Sequence, residues 1–199
     1  MCGRYKYEEE IEFLMDHPEL KKIKLINNVK DVKLKKYDIA PTNNILTVLK
    51  RNNIYSLESK SWGIKFDEKS PLIFNSRIET IISKPYWKTS FTKRRIIVPM
   101  TGFYEWQKIG NTKYRKTIYL PDNKLFFVPA LYQEINGKIF TSLVTTEPND
   151  IMKPIHNRMP VILKPDEAIK IMNVEIEEAL KICKPYDGKM KIIDYIEGE

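Results

Sequence analysis

The strongest constraint on the fold of this chain is a run of short β-type stretches cut apart by turn residues. Lys113–Leu120, Leu125–Tyr132 and Lys138–Thr146 read as successive antiparallel strands, separated by Pro121-Asp122-Asn123 and Asn136-Gly137. Upstream, Ile45–Lys50, Ile54–Lys60 and Ser61–Phe66 form a similar series, with Asn52-Asn53 as a hairpin turn. Pro71–Phe74 is a short apolar strand, Arg94–Pro99 another, and Gly102–Trp106 follows after a turn. Helical spacing marks the two ends. Glu8–Leu20 reads as an amphipathic helix interrupted near Pro18, and Lys21–Lys36 as a basic loop or second short helix. Pro165–Cys183 reads as one or two helices, with Asp166 near an N-terminus, and Lys189–Tyr195 as a closing strand. The expected class is α+β, mainly antiparallel, with peripheral helices. No repeat or linker divides the 199 residues, so a single domain over 1–199 is expected.

Composition narrows the function. Hydrophobic residues at 42% and charged residues at 30% are ordinary for a soluble domain, and no apolar run spans a membrane. Acidic Glu8-Glu9-Glu10 comes too early for a signal peptide. Two cysteines, Cys2 and Cys183, give no disulfide framework, and a reducing cytoplasmic setting is expected. Cys183, within a helical pattern, reads as a core thiol. Two histidines with no Cys-x-x-Cys argue against a metal site, and phosphate-loop and dinucleotide glycine patterns are absent. No cofactor is expected. A net charge of +8 is compatible with a polyanionic partner, but the lysines are scattered.

Chemistry concentrates at the amino terminus. Removal of Met1 would leave Cys2 with an α-amine and a thiol on adjacent carbons. Their reference pKa values, about 8 and about 8.5, leave both partly reactive near neutrality. Such a 1,2-aminothiol forms a Schiff base with an aldehyde and then closes to a thiazolidine. Position 2 is equally a small residue tolerated at a terminus. Asn75 sits just past an apolar strand, where it is either a site residue or an N-cap for a helix begun by Glu79–Ser83. Glu105 lies among Phe103, Tyr104 and Trp106; buried, it would be a general acid or base, and on a simple alternation it would face solvent. His156 and Arg158 share a face of an extended segment, which suits an anion with a proton to move, or a structural histidine beside a salt-bridged arginine. His17, before a proline, reads as a surface residue.

Seven separated motifs together resemble the SRAP (SOS response-associated peptidase) family, which includes abasic-site shield proteins of bacteria and eukaryotes. They are Cys2-Gly3-Arg4, Ile39-Ala40-Pro41-Thr42, Trp62-Gly63, Asn75-x-Arg77-x-Glu79-Thr80, Val98-Pro99-x-x-Gly102-Phe103-Tyr104-Glu105-Trp106, Thr145-Thr146-Glu147 and Ile155-His156-x-Arg158-Met159-Pro160. The resemblance covers about residues 2 to 165 and implies a compact fold around a strongly bent, barrel-like sheet. It implies covalent capture of abasic sites in single-stranded DNA as a thiazolidine on Cys2, with lyase-like Schiff-base chemistry and peptidase action on Met1. Asn75 would hold the Cys2 amine or the opened sugar, Glu105 would shuttle protons, and His156 would act on the sugar hydroxyl or in reversal. Arg4, Arg77 and Arg158 would grip phosphates, supported by Trp106 and Thr145, with Pro41 and Trp62 along the DNA groove. The expected protein is a cytoplasmic monomer, nucleoid-associated if bacterial, with no membrane partner. Three positions depart from the family: Asp38 stands where asparagine is usual, Ile64-Lys65-Phe66 is less apolar, and Thr101 replaces an acidic residue.

Other classes stay open on sequence. An N-terminal-cysteine amidohydrolase or amidotransferase also begins Met-Cys-Gly, with the Cys2 amine as base, although scarce glycines and arginine-rich motifs argue against it. A peptidase, or a DNA-binding module without catalysis, are further readings.

Overall fold

The turn residues fix the hairpins. Asn52 and Asn53 take φ of 48° and 62°, and Asn136 and Gly137 take 51° and 72°. These are the paired left-handed conformations that a tight two-residue hairpin requires. The computed structural model describes residues 2–29, 34–121 and 125–195. In chain order its elements are β1 (Arg4–Lys6), α1 (Ile11–Asp16), α2 (Pro18–Lys22), β2 (Ile26–Asn27), β3 (Asn44–Arg51), β4 (Ile54–Trp62) and β5 (Asn75–Arg77). A 3-10 turn at Ile78–Thr80 leads to α3 (Pro85–Lys93), β6 (Arg95–Met100), β7 (Gly102–Ile109), β8 (Thr112–Tyr119), β9 (Phe126–Ile135) and β10 (Lys138–Thr146). β11 (Met159–Pro160), α4 (Pro165–Ile171), α5 (Ile176–Ile182) and β12 (Lys191–Asp194) complete the chain.

Antiparallel pairing links β10 to β9, β9 to β6, β6 to β3 and β3 to β4. The ring then closes through a parallel contact of β4 with β10, Ser61 opposite Phe140 and Trp62 opposite Thr141. Five strands thus make a small barrel, and closure removes the exposed edges an open sheet would carry. Along its strands Ile45, Val48, Leu57, Ile97, Val128, Leu131 and Leu143 are all buried. A second sheet, β1-β7-β8-β12, grows from the barrel where β6 passes through Thr101 directly into β7. β1 lies against β7 with Lys6 opposite Gly102. A Cβ at Gly102 would stand 3.0 Å from the Ile118 carbonyl and from the Lys6 side chain, so the close approach favours glycine.

Several expectations are corrected. Ser61–Phe66 is not a separate strand: β4 runs on through Trp62, and the chain turns at Gly63, whose φ of 112° suits glycine. Asn75 is neither turn nor helix cap; it opens β5, which docks parallel on β10 with Asn75 opposite Leu143. Pro71–Phe74 forms no strand of its own; Ile73 bridges Ile64, and the Phe74 carbonyl accepts the Leu143 N–H at 3.0 Å. His17 is half-buried, and its ring accepts the Glu19 N–H (3.3 Å), capping α2. The turn expected at Pro121-Asp122-Asn123 falls largely outside the described residues, as do residues 30–33 of the basic stretch.

Candidate active site between the two sheets

Cys2 leads into β1, and β1 is held on both sides. Tyr5 pairs with Phe103 of β7 and exchanges backbone hydrogen bonds with Ile39 (3.1 and 2.9 Å). The Cys2 side chain is fully buried where β1 meets the barrel. Asn75, placed by β5, donates from Nδ2 to the Cys2 carbonyl at 2.9 Å. Its Oδ1 is buried and has no hydrogen-bond partner among the described residues, so the site offers one unused acceptor beside Cys2. Glu105 sits on β7, two residues past Phe103, and is 2% exposed. Of the two orientations open on sequence, the structure has the buried one.

His156 comes from the turn after β10, and its backbone N–H bonds Met152 at 2.9 Å. Its Nδ1 lies 3.1 Å from the Arg158 backbone N–H and 3.3 Å from the Arg158 carbonyl, so the Arg158 backbone holds the ring in place. Nε2 faces Glu105 Oε2 at 3.9 Å, longer than a hydrogen bond. Two sheets, one loop and the amino-terminal segment therefore bring Cys2, Asn75, Glu105 and His156 together.

Burial sets their proton affinities. Removal from water pushes the Glu105 carboxyl up from 4.5 to about 7. Burial first, then the charge of Glu105, pushes the Cys2 thiol well above its usual range. Burial also lowers the His156 imidazole and keeps it neutral. Near neutral pH the site holds a protonated thiol, a neutral imidazole and a carboxyl able to give or take a proton. Among the described residues no cluster of three or more His, Cys, Asp or Glu is placed to hold a metal ion.

The expected phosphate-binding residues are less free than the sequence implied. Arg158 donates both terminal nitrogens to Glu79 at 2.9 Å, and Nη2 also reaches Thr145 at 3.2 Å. That bidentate ion pair makes it largely a structural clamp between β10 and the 3-10 turn. Thr145 is itself fully buried. Arg4 is ion-paired to Asp38, which also receives Arg115, a residue the sequence reading passed over. Arg77 is exposed. Trp106 is half-buried, with the Arg115 guanidinium 5.5 Å from its ring, and Pro41 is half-buried. Trp62 cannot line a groove in this structure. It is fully buried, donates Nε1–H to the Phe74 carbonyl at 2.8 Å and meets Tyr5 edge-on at 5.5 Å. Its signal, an aromatic beside a glycine turn, is the same for a core anchor and a binding surface.

The fold is shared with known structures. A crystal structure of a protein from Bacteroides thetaiotaomicron superposes with a TM-score of 0.80 at 22% identity, covering 98% of this chain and 93% of that one. A closed five-strand barrel thus carries a buried cysteine and glutamate and a half-buried asparagine and histidine at its flank. The SOS response associated peptidase (SRAP) family model matches residues 1–195, and the chain belongs to that family. Abasic site processing protein YoaM of Bacillus subtilis is 30% identical over 202 residues, 94% of this chain and 87% of that protein. Abasic site processing protein YedK of Escherichia coli is 30% identical over 159 residues, 74% of this chain and 70% of that protein.

Proposed function

We propose that this protein processes abasic sites in DNA, capturing them in single strands through Cys2 once Met1 has been removed. The observation that carries the reading is the convergence on Cys2 of Asn75, which bonds its carbonyl, and of Glu105 and His156, which face each other at 3.9 Å. The names of the relatives support the same substrate.

An abasic sugar opens to an aldehyde at C1′. The Cys2 amine attacks that carbon, a carbinolamine forms, and a proton on the departing hydroxyl lets water leave as the imine is made. Glu105, near half-protonated at neutral pH, supplies that proton and can take one from the attacking amine. The thiol then adds to the imine carbon: a C–S bond forms, the sulfur proton is passed to nitrogen, and the net loss is one water. The raised thiol pKa fits this order, since the amine acts first and sulfur is needed only once an electrophilic imine stands beside it. The spare Asn75 acceptor is suited to an amine N–H, and Nε2 of His156 to a sugar hydroxyl. Any peptidase chemistry is assigned to Met1 alone. No helix among the described residues is long and apolar enough to cross a membrane; the site of action is placed with cellular DNA, and the acting form is a monomer.

The test is incubation with a single-stranded oligonucleotide carrying one abasic site, followed by denaturing electrophoresis with and without prior heating. A heat-stable shifted band that lacks borohydride dependence is expected, with a mass equal to the sum of the two partners minus one water. Ammonia release from glutamine, with no shifted band, would instead establish the amidohydrolase reading.

A further inference from the structure

Asp38 is a carboxylate near the site that two arginines share. Arg4 approaches Oδ2 through Nη1, and Arg115 approaches Oδ1 through Nη2. The guanidinium of Arg115 also lies between two aromatic rings, 4.1 Å from the Tyr104 centroid and 3.9 Å from that of Tyr195, with Trp106 at 5.5 Å. Arg115 is directly opposite Trp106 in the β7–β8 ladder, and Arg4 is two residues from Cys2. The Tyr5–Ile39 backbone bonds hold Asp38 beside β1. Its φ of 50° is left-handed, a conformation aspartate and asparagine tolerate.

Two guanidiniums converging on two oxygens of one anion is how a phosphate is gripped, and aromatic rings beside it suit an unpaired base. Arg4 and Asp38 each have 40% of their side chains exposed, so this tie is an open, weak ion pair that another anion can replace. We propose that Arg4 and Arg115 form a phosphate subsite for the DNA strand, and that Asp38 occupies it in the DNA-free protein as a displaceable internal anion. This rests on the DNA-binding reading above. It makes Arg115 a DNA contact and Asp38 a brake on non-selective binding: a strand must expel the carboxylate before it gains the two guanidiniums.

The test uses fluorescence anisotropy of the full chain with an intact single-stranded oligonucleotide, so that capture chemistry plays no part. Asp38→Asn keeps shape and backbone tolerance while removing the charge. It should bind about threefold tighter near 50 mM salt, the size of one phosphate contact, with a salt slope steeper by up to about 0.7. Arg115→Gln should weaken binding to a similar degree and erase the gain from Asp38→Asn when the two are combined. Arg115→Lys, which keeps the charge but loses the planar fork, should fall between native and Arg115→Gln. Equal or weaker binding by Asp38→Asn overturns the proposal, as does an Arg115→Gln variant of native affinity and slope. If neither native protein nor any variant binds the strand, the DNA reading itself fails and the subsite falls with it. Native binding with an unmoved Asp38→Asn removes the subsite alone.

Discussion

Two cysteines are buried in this protein, and only one sits among groups that can use it. Cys183 closes α5, with its backbone N–H on Ala179 at 3.2 Å and its thiol pushed up by burial to about 12. Its charged neighbour is Arg95, whose guanidinium is spent on the carbonyls of Phe91, Ile171 and Val174. Cys2 is as deeply buried, and its thiol is also pushed up. Around it, however, are a carboxyl near neutrality, a neutral imidazole and an unused amide acceptor. Burial and a raised thiol pKa therefore do not mark a reactive cysteine. What separates the two is the company they keep: two titratable groups and the Asn75 amide at Cys2, against a guanidinium fully engaged with carbonyls at Cys183.

The comparison is broken most decisively at the two thiols themselves. Cys2→Ser should lose the heat-stable DNA adduct altogether, leaving at most an imine that borohydride can trap, because a thiazolidine needs amine and thiol on one residue. Cys183→Ser should retain full adduct yield on the same gels. If the two variants behave alike, the distinction drawn here is wrong.

Next in size is the carboxyl. Glu105→Gln should keep affinity for DNA but slow single-turnover adduct formation by about 10²- to 10⁴-fold, and the residual rate should lose any inflection near pH 7. An unchanged pH–rate profile would reduce Glu105 to a structural group. The same substitution has a stability signature with a fixed sign. A carboxyl raised from 4.5 to about 7 on folding holds its proton more tightly in the native state, so stability falls as pH climbs between those values. The ionisation penalty is absent below pH 4.5 and complete above about 7, with a ceiling of about 3 kcal/mol. Glu105→Gln should flatten that decline in urea titrations from pH 4 to 8. A native protein equally stable across the range would contradict the burial argument.

The smallest effect is expected on the inert side. Cys183→Ala removes only a sulfur from a packed position, so it should cost about 1–2 kcal/mol in denaturant unfolding while leaving adduct yield intact. A loss of adduct without a loss of stability would mean that the C-terminal helices communicate with the site.

What the sequence exposed and what it hid divide along the range of the interactions. Asn52-Asn53 and Asn136-Gly137 announced their hairpins because a left-handed turn is a local demand on local residues. The split of the first helix at Pro18 was equally local. β1 was not expected as a strand, since three residues carry no periodicity and their partners, Gly102 to Tyr104, lie in a distant part of the sequence. Barrel closure through Ser61–Trp62 on Phe140–Thr141 is invisible for the same reason. At the site, Cys2, Asn75, Glu105 and His156 were chosen by residue chemistry and family resemblance, and the fold brings them together. The ion pairs were not legible. Arg4 read as a free cation, and the salt bridge left open for Arg158 had no named partner, because their carboxylates, Asp38 and Glu79, lie 34 and 79 positions away. Trp62 was misplaced because hydrophobic pattern does not say which side of a wall a side chain takes.

The parallel joint between β4 and β10 also sets a timetable. During synthesis the chain grows at about 5–20 residues per second, so β10 is made on the order of ten seconds after the amino terminus emerges. Until then β5 has no strand to dock on, Asn75 is not beside Cys2, and β1 waits for β7. The Cys2 side chain stays accessible for that interval, and becomes enclosed as the barrel shuts. A side chain sealed in the finished fold is thus open to solvent while the ribosome is still at work.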